Sequence, residues 1–152
     1  MAQDPPLTVP EVAATARAAH EGQTDKAGRP YAEHLAAVAE GVRRRGGDDA
    51  QLAAAWLHDA VEDGALSREW LERAPLSRRT KDIVLALTKR AGEPPEAYAA
   101  RILATPGARL VKEADLAHNA DPARLAVLAG PTRTRLAEKY TRMRALLGLT
   151  ET

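Results

Sequence analysis

The stretch that decides the fold is Trp56-Leu57-His58-Asp59-Ala60-Val61-Glu62-Asp63, which places one imidazole and three carboxylates close together in the chain. On an α-helix, His58 and Glu62 lie one turn apart on one face, and Asp59 and Asp63 form a second pair about 100° further round. Apolar residues fill the positions between them, so the sequence predicts a helix with an apolar back and a polar edge. Such an edge is costly to bury unless a cation faces it. The stretch therefore predicts a divalent metal ion that is held partly by this helix.

The composition favours one all-α globular domain. A chain of 152 residues, 45% of them apolar, is long enough for a single domain with a sizeable core. Phe is absent, and much of the apolar fraction is Ala and Leu, which lead the ranking of helix propensity. No segment sustains the alternation that a β-strand requires. We therefore expect one domain over residues 1–152, with residues 1–7 as a flexible arm before the first helix.

The charge and the cysteine content narrow the possible functions. A net charge of +1, from 22 basic and 21 acidic residues, does not favour binding of a nucleic-acid polymer. The lack of cysteine excludes disulfides, a Cys nucleophile and thiolate metal ligands. No apolar run approaches the roughly 20 residues of a membrane span, and the start has no signal-peptide pattern. We therefore expect a cytoplasmic protein without membrane contact, with its oligomeric state left open and a local basic pocket for a phosphorylated small molecule still allowed.

The helix boundaries follow from capping residues and from chain breakers. Thr8 with Glu11 predicts a capping box for a first helix that ends near residue 20. Asp48 predicts the start of the central helix, which we expect to run from about Asp49 to Glu62. Ser67 and Ser77 are typical caps of two later helices. Further helices are predicted at about 30–45, 96–104 and 108–119, with a short one from 121 and a final one from 131.

Three predicted helices supply candidate metal ligands, which are His34, His58, Asp59 and Asp115. Two imidazoles and two carboxylates suit Mn²⁺, Fe²⁺, Co²⁺ or Zn²⁺. Glu62 and Asp63 lie one turn beyond the adjacent His and Asp, where they could orient or deprotonate a water molecule. Taken singly, the residues have ordinary alternatives, since His34 could be a packed core histidine and the carboxylates could be solvated charges. A metal site accounts for all of them together.

The adjacent His58 and Asp59, with His34 upstream and Asp115 downstream, resemble the HD phosphohydrolase superfamily. The sequence is most similar to the hydrolase domain of bacterial alarmone synthetase–hydrolases and to their stand-alone small relatives. The similar stretches hold their order and spacing from His20 to the last helix. They are residues 20–23 (HEGQ), 28–34 (GRPYAEH), 54–63 (AAWLHDAVED), 87–89 (LTK) and 106–119 (PGARLVKEADLAHN).

This resemblance implies an all-α HD-type helical bundle that removes the 3′-pyrophosphate from guanosine tetraphosphate or pentaphosphate with the help of Mn²⁺. It implies that the metal ligands are His34, His58, Asp59 and Asp115. It gives the acid/base and water-positioning roles to Glu62 and Asp63. It implies contacts to the nucleotide substrate from Lys26, Lys112 and Asn119.

The sequence also departs from the family pattern. The loop over residues 23–26 is poorer in Arg and Lys than is usual in the family and contains Asp25, and Glu113 stands where an apolar residue is common. Two alternatives therefore stay open. One is an HD-type nucleotidase or pyrophosphohydrolase that acts on another nucleotide, and the other is a non-catalytic nucleotide-binding or partner-binding module with a structural metal. For His20, ending the first helix is the simplest role, and for the basic residues of the last helix it is a solvated face. For His118, a packing or surface role and a substrate contact are both open.

Overall fold

Residues 5–149 are described by the computed structural model, and within this range the chain forms α-helices and no β-strand. The helices are α1 (Val9–Ala19), α2 (Tyr31–Arg44), α3 (Asp49–Leu57), α4 (Arg68–Arg73), α5 (Arg78–Leu87), α6 (Pro95–Ala104), α7 (Ala108–Asn119), α8 (Pro122–Ala126) and α9 (Gly130–Leu146). This architecture confirms the predicted all-α class. Across the same residues, no helix is both long and apolar enough to cross a bilayer.

The helices begin at the residues that the capping pattern predicts. Thr8 and Glu11 exchange both bonds of a capping box at the start of α1. Asp48 and Gln51 do the same at α3, with 2.9 Å for each of the two bonds. Ser67 and Ser77 accept bonds from the backbone N–H groups three residues on and so start α4 and α5. These starts are specified locally, because each cap needs only a few neighbouring residues.

The central helix is shorter than predicted, since α3 ends at Leu57 and not near Glu62. The N–H of Ala60 bonds to the carbonyl of Leu57, and the N–H of Gly64 bonds to that of Val61. This spacing of three residues tightens the chain into turns and ends the regular α-helix. His58 is therefore the C-cap of α3, and Asp59, Glu62 and Asp63 lie on the turns that follow it. The predicted helical polar edge is wrong, although the residues still stay close together.

The core surrounds α3, which packs against α1, α2, α5 and α7. Residues 53–57, which are three alanines followed by Trp and Leu, are all buried. Small residues also let α2 and α7 approach closely, because a Cβ added at Gly41 would lie only 3.1 Å from the Cβ of Ala114. This close packing brings His34 on α2 next to Asp115 on α7.

The predicted N-terminal arm is bonded to the rest of the fold at the end that precedes α1. Residues 1–4 of the predicted arm lie outside the described residues. Leu7 donates its N–H to the carbonyl of Pro75 at 2.9 Å and packs against the core with its partly buried side chain. Leu7 therefore belongs to the folded unit.

Gly107, just before α7, generates the first testable prediction. It has a φ of +88°, its carbonyl accepts a bond from Gln51, and a Cβ there would meet Arg79 at 2.8 Å and Ile83 at 3.1 Å. We expect Gly107→Ala to destabilise the fold by about 2–3 kcal/mol, because the tight contact with Ile83 adds to the backbone strain, whereas the exposed end of Arg79 can move aside. Urea unfolding followed by circular dichroism measures this loss.

The matched control is Gly92→Ala, since Gly92 has a φ of +71° with nothing within 4 Å of the added Cβ. It should cost only the backbone strain, about 1–2 kcal/mol. Equal losses in the two variants would show that close packing at Gly107 does not restrict the start of α7.

Candidate metal centre

The predicted ligand set converges at one point. His34 comes from α2, Asp115 from α7, and His58 and Asp59 from the end of α3, and each offers one ligand atom within 4.8 Å of all the others. Asp115 Oδ1 lies 3.0 Å from His34 Nε2 and 3.2 Å from His58 Nε2, and Asp59 Oδ2 lies 3.1 Å from His58 Nε2. His34, His58 and Asp115 are buried, whereas Asp59 is partly exposed. The set therefore forms a largely buried cluster.

The orientation of His58 shows that this cluster fits a cation. Its Nδ1 lies 2.6 Å from the carbonyl of Ala55, which can only accept, so Nδ1 carries a proton. In the neutral imidazole, the Nε2 lone pair would then face the oxygens of Asp59 and Asp115. Burial alone would lower the pKa of His58, but these two carboxylates raise it well above its usual value. A divalent ion meets the same demand for positive charge, and Nδ1–H donation to a carbonyl is the usual arrangement of a His ligand.

Asp115 is the most heavily contacted carboxylate of the cluster. Besides the two imidazoles, Lys112 Nζ lies 2.9 Å from its Oδ2 and Asn119 Nδ2 lies 3.2 Å from its Oδ1. Burial would raise the pKa of Asp115, but Lys112 and His58 outweigh it and hold the pKa well below its usual range. Lys112 and Asn119, which we predicted as substrate contacts, therefore touch Asp115, and both also line the adjacent cavity.

Tyr31 is a member of the site that the sequence analysis missed. Its hydroxyl donates to Asp59 Oδ2, and burial together with the Asp59 charge raises the pKa of Tyr31. Burial alone would raise the pKa of Asp59, but the neighbouring His58 lowers it to about 2. Asp59 is thus an anion at neutral pH and is oriented by a phenol. The signal was present, because Tyr31 precedes His34 by three residues and so shares its helix face.

His118 supports His34 from the side away from Asp115. The two Nδ1 atoms are 2.7 Å apart, while His34 Nε2 faces Asp115. Burial and the neighbouring His34 lower the pKa of His118 to about 4, so His118 is neutral at pH 7. The sequence did not separate packing from substrate contact for this residue, and the structure places it against a ligand candidate.

Glu62 and Asp63 are exposed next to the cluster and are held by different partners. The backbone N–H of Lys89 donates to Glu62 Oε1 at 2.7 Å, and Gln23 Nε2 donates to Asp63 Oδ2 at 2.9 Å. Desolvation raises the pKa of Glu62, with the bond from Lys89 opposing it and the charge of Asp59 adding to it. Glu62 is therefore closer to the pKa range of a general base than an ordinary surface glutamate is.

The cluster opens into a cavity of about 560 Å³. Its lining includes Asp59 and Asp115 of the cluster, the neighbouring Glu62 and Asp63, and cationic side chains from several parts of the chain. These cations are Lys26, Lys89, Lys112, Arg124, Lys139 and Arg142. Desolvation and the charges of Lys89, Lys112 and Lys26 lower the pKa of Lys139, which indicates how closely the positive charges gather. The sequence analysis interpreted the basic residues of the last helix as a solvated face, but Lys139 and Arg142 line this cavity.

Apolar side chains complete the wall of the cavity. They are Leu116, Leu125, Leu128, Leu136, Tyr98, Tyr140 and Met143. A concave site with an apolar wall and a few convergent polar groups is typical of small-molecule binding. The predicted residue Lys26 lies at the rim, in the loop between α1 and α2.

Asp25, the unusual acid of this loop, is occupied by structural bonds. Its Oδ1 accepts from the N–H groups of Ala27 and Arg29 at 2.9 Å each, and its Oδ2 pairs with Arg124 at 2.8 Å. Burial opposes the charge of Asp25, but these bonds and the Arg124 charge lower its pKa. The carboxylate therefore ties the loop to α8.

Comparisons with known proteins agree with this geometry. A family model described as HD domain matches residues 13–147. A Synechocystis sp. protein named probable guanosine-3′,5′-bis(diphosphate) 3′-pyrophosphohydrolase is 44% identical over 70 residues, which are 46% of this chain and 9% of that protein. A Vibrio cholerae protein named guanosine-3′,5′-bis(diphosphate) 3′-pyrophosphohydrolase is 42% identical over 72 residues, which are 43% of this chain and 10% of that protein. The chain thus matches about a tenth of the length of each relative, whereas the family model spans most of the chain. The chain belongs to the HD-domain family.

Proposed function

We propose that this chain is a divalent-metal-dependent phosphohydrolase that removes the 3′-pyrophosphate of guanosine tetraphosphate or pentaphosphate. The observation that carries the proposal is a largely buried cluster of two imidazoles and two carboxylates, which opens into a cavity lined with lysine and arginine. Such a cavity suits a substrate with several phosphates, because positive walls attract and hold polyanions. The names of the two relatives give the guanosine substrate and the 3′ position.

In this proposal, the metal ligands are His34, His58, Asp59 and Asp115, and the ion is Mn²⁺. Two imidazoles and two carboxylates suit several divalent ions, and the family that the sequence resembles favours Mn²⁺ among them. A bound ion of this kind polarises a phosphoryl oxygen and lowers the pKa of water. Tyr31 and His118 orient two of these ligands through the contacts described above.

Glu62 and Asp63 handle the attacking water. Glu62 takes the proton from the water, for which its raised pKa makes it a better base, and Asp63 orients the water. The water oxygen bonds to the phosphorus next to the ribose 3′-oxygen, and the bond between that phosphorus and the 3′-oxygen breaks. The 3′-oxygen gains a proton, and the products are pyrophosphate and guanosine with its 5′-phosphates. Both acids lie at the cavity surface, beside the ligand cluster.

Cations around the cavity bind the substrate. Lys26 and Lys139 stand on elements that face the cavity from different directions, and Lys112 and Asn119 combine a substrate contact with their bonds to Asp115. A polyphosphate placed here would offset both the desolvation of Lys139 and its repulsion by Lys89, Lys112 and Lys26, which together lower the pKa of Lys139.

The loop between α1 and α2 gives a reason to consider a different nucleotide as the substrate. Lys26 is the one cation among residues 23–26, and the ion pair of Asp25 with Arg124 binds this loop to α8. A loop that carries a single positive charge could select a nucleotide with a different base. The metal chemistry would be unchanged in that case.

Removing a ligand and removing the base should have different effects. We expect His58→Ala to lose both bound Mn²⁺ and activity, because it deletes a ligand. We expect Glu62→Gln to keep Mn²⁺ while kcat falls about 10²–10⁴-fold, the usual contribution of a general base. Elemental analysis of dialysed protein and pyrophosphate release measure the two quantities.

Glu69→Gln is the matched control, since Glu69 is an exposed carboxylate on α4 and does not line the cavity. It should keep both metal and kcat. A wild-type kcat for Glu62→Gln would contradict the role given to Glu62, and full Mn²⁺ occupancy in His58→Ala would contradict the ligand set.

The substrate assignment is tested with a panel of nucleotides in the presence of Mn²⁺, Co²⁺ or Zn²⁺. We expect guanosine tetraphosphate and pentaphosphate to release pyrophosphate, while GDP and GTP stay intact because they have no 3′-pyrophosphate. Chromatography of the products separates pyrophosphate from orthophosphate. Cleavage of a different nucleotide alone would replace the substrate and leave the metal site in place. Tight binding of nucleotides without any turnover would instead support a non-catalytic module.

A further inference from the structure

A line of hydrogen bonds reaches Asp63 from the end of α1. Its members are His20, the C-cap of α1, and Gln23 in the following loop. His20 Nδ1 lies 2.7 Å from Gln23 Oε1, and Gln23 Nε2 lies 2.9 Å from Asp63 Oδ2. Neither His20 nor Gln23 belongs to the ligand set of the metal centre. The line therefore connects a helix end to an acid of the site by a separate route.

The direction of these bonds follows from their chemistry. The Asp63 carboxylate can only accept, so the Gln23 amide nitrogen must face it and the amide oxygen must face His20. The imidazole then has to donate from Nδ1. His20 is only 2% exposed, and within the described chain its Nε2 is buried without a hydrogen-bond partner. The geometry therefore places the donated proton on Nδ1, while an N–H on Nε2 would be an unpaired buried donor, which is costly.

Gln23 is fixed at four points. Its side chain bonds to His20 and Asp63, its N–H donates to the carbonyl of His20 at 2.9 Å, and its carbonyl accepts from the N–H of Tyr31 at 2.9 Å. The ring of His20 also packs against that of Tyr31, with 5.2 Å between the ring centroids. Asp63, in contrast, is exposed, and an exposed carboxylate on a turn would otherwise sample several rotamers.

We propose that His20 and Gln23 are positioning residues. They hold the Asp63 carboxylate in the rotamer in which it can orient the attacking water. This inference rests on the proposed function of Asp63. Buried His20 is the fixed end of the line. Gln23 accepts the bond from His20 with its amide oxygen and donates from its amide nitrogen to the Asp63 carboxylate. Fixing one rotamer of Asp63 in advance removes an entropy cost from the reaction, and misplacement by about 1 Å can cost 10²-fold in rate.

Replacing the amide tests the proposal directly. Gln23→Met keeps the length of the side chain and removes the donor, and we expect kcat to fall about 10–100-fold with KM and bound Mn²⁺ nearly unchanged. His20→Leu should lower kcat similarly, and His20→Asn should restore most of it, because the Asn amide can donate from near the position of Nδ1. Glu21→Met is the matched control in the same loop and should retain the wild-type kcat. Thermal unfolding checks that each variant is folded.

A double-mutant cycle with Asp63→Asn separates positioning from loop stability. If Gln23 acts through Asp63, Gln23→Met should change kcat less than about 3-fold once Asp63 has been replaced. The same 10–100-fold loss in both backgrounds would overturn the proposal, as would a wild-type kcat for Gln23→Met. A wild-type kcat for Asp63→Asn would instead contradict the proposed function of Asp63 itself.

The tautomer of His20 supplies a readout that does not need turnover. Nitrogen-15 NMR of histidine-labelled protein should show His20 protonated on Nδ1, and this preference should weaken in Gln23→Met. A proton on Nε2 in the wild-type protein would overturn the direction of the bonds and hence the proposal. Failure of every nucleotide to react would count against the proposed function, while the NMR result would still decide whether the line of bonds exists.

Discussion

The buried carboxylate of Asp115 is the constraint on which the rest of the site depends. An ionised group at 4% exposure is tolerated only when hydrogen bonds and positive charge compensate it. Its partners come from α2, from the end of α3 and from α7 itself, so these helices must pack closely around it. Small residues such as Gly41 and Ala114 make that approach possible. A divalent ion would also supply positive charge to the Asp115 carboxylate. The packing of the helices around Asp115 is therefore linked to the proposed chemistry.

The cavity carries charges of both signs, which suits hydrolysis of a polyanion at a metal site. The acidic groups lie in the ligand cluster and beside it, and lysines and arginines from distant segments line the same cavity. Asp25 does not weaken this positive lining with a free carboxylate, because Arg124 and two backbone N–H groups occupy its oxygens. The HD-domain family membership and the names of the relatives fit a cavity of this kind, so fold, electrostatics and similarity favour one proposed activity.

The sequence predicted what is determined locally or by residue type. The starts of α1 and α3 were predictable because a capping box needs only neighbouring residues. The grouping of the two imidazoles and two carboxylates was predictable because few residue types bind metal and they recur in the pattern of a known family. The end of α3 could not be predicted, because the turns after Leu57 form where the side chain of Asp59 meets that of Tyr31 from another helix. The bonds of Tyr31 to Asp59 and of Gln23 to Asp63 could not be predicted either, since they join segments that are far apart in the chain, although the spacing of Tyr31 and His34 did place Tyr31 on the same helix face.

The central claim is that the cluster of His34, His58, Asp59 and Asp115 holds one divalent ion. The most direct measurement is anomalous diffraction at the manganese edge from crystals grown with Mn²⁺, with data also collected from His58→Ala crystals. The account predicts one strong peak per chain within bonding distance of both imidazoles and both carboxylates, and its loss or marked weakening in the variant. A wild-type structure without a peak at this cluster, or with the ion held elsewhere in the cavity, would contradict it.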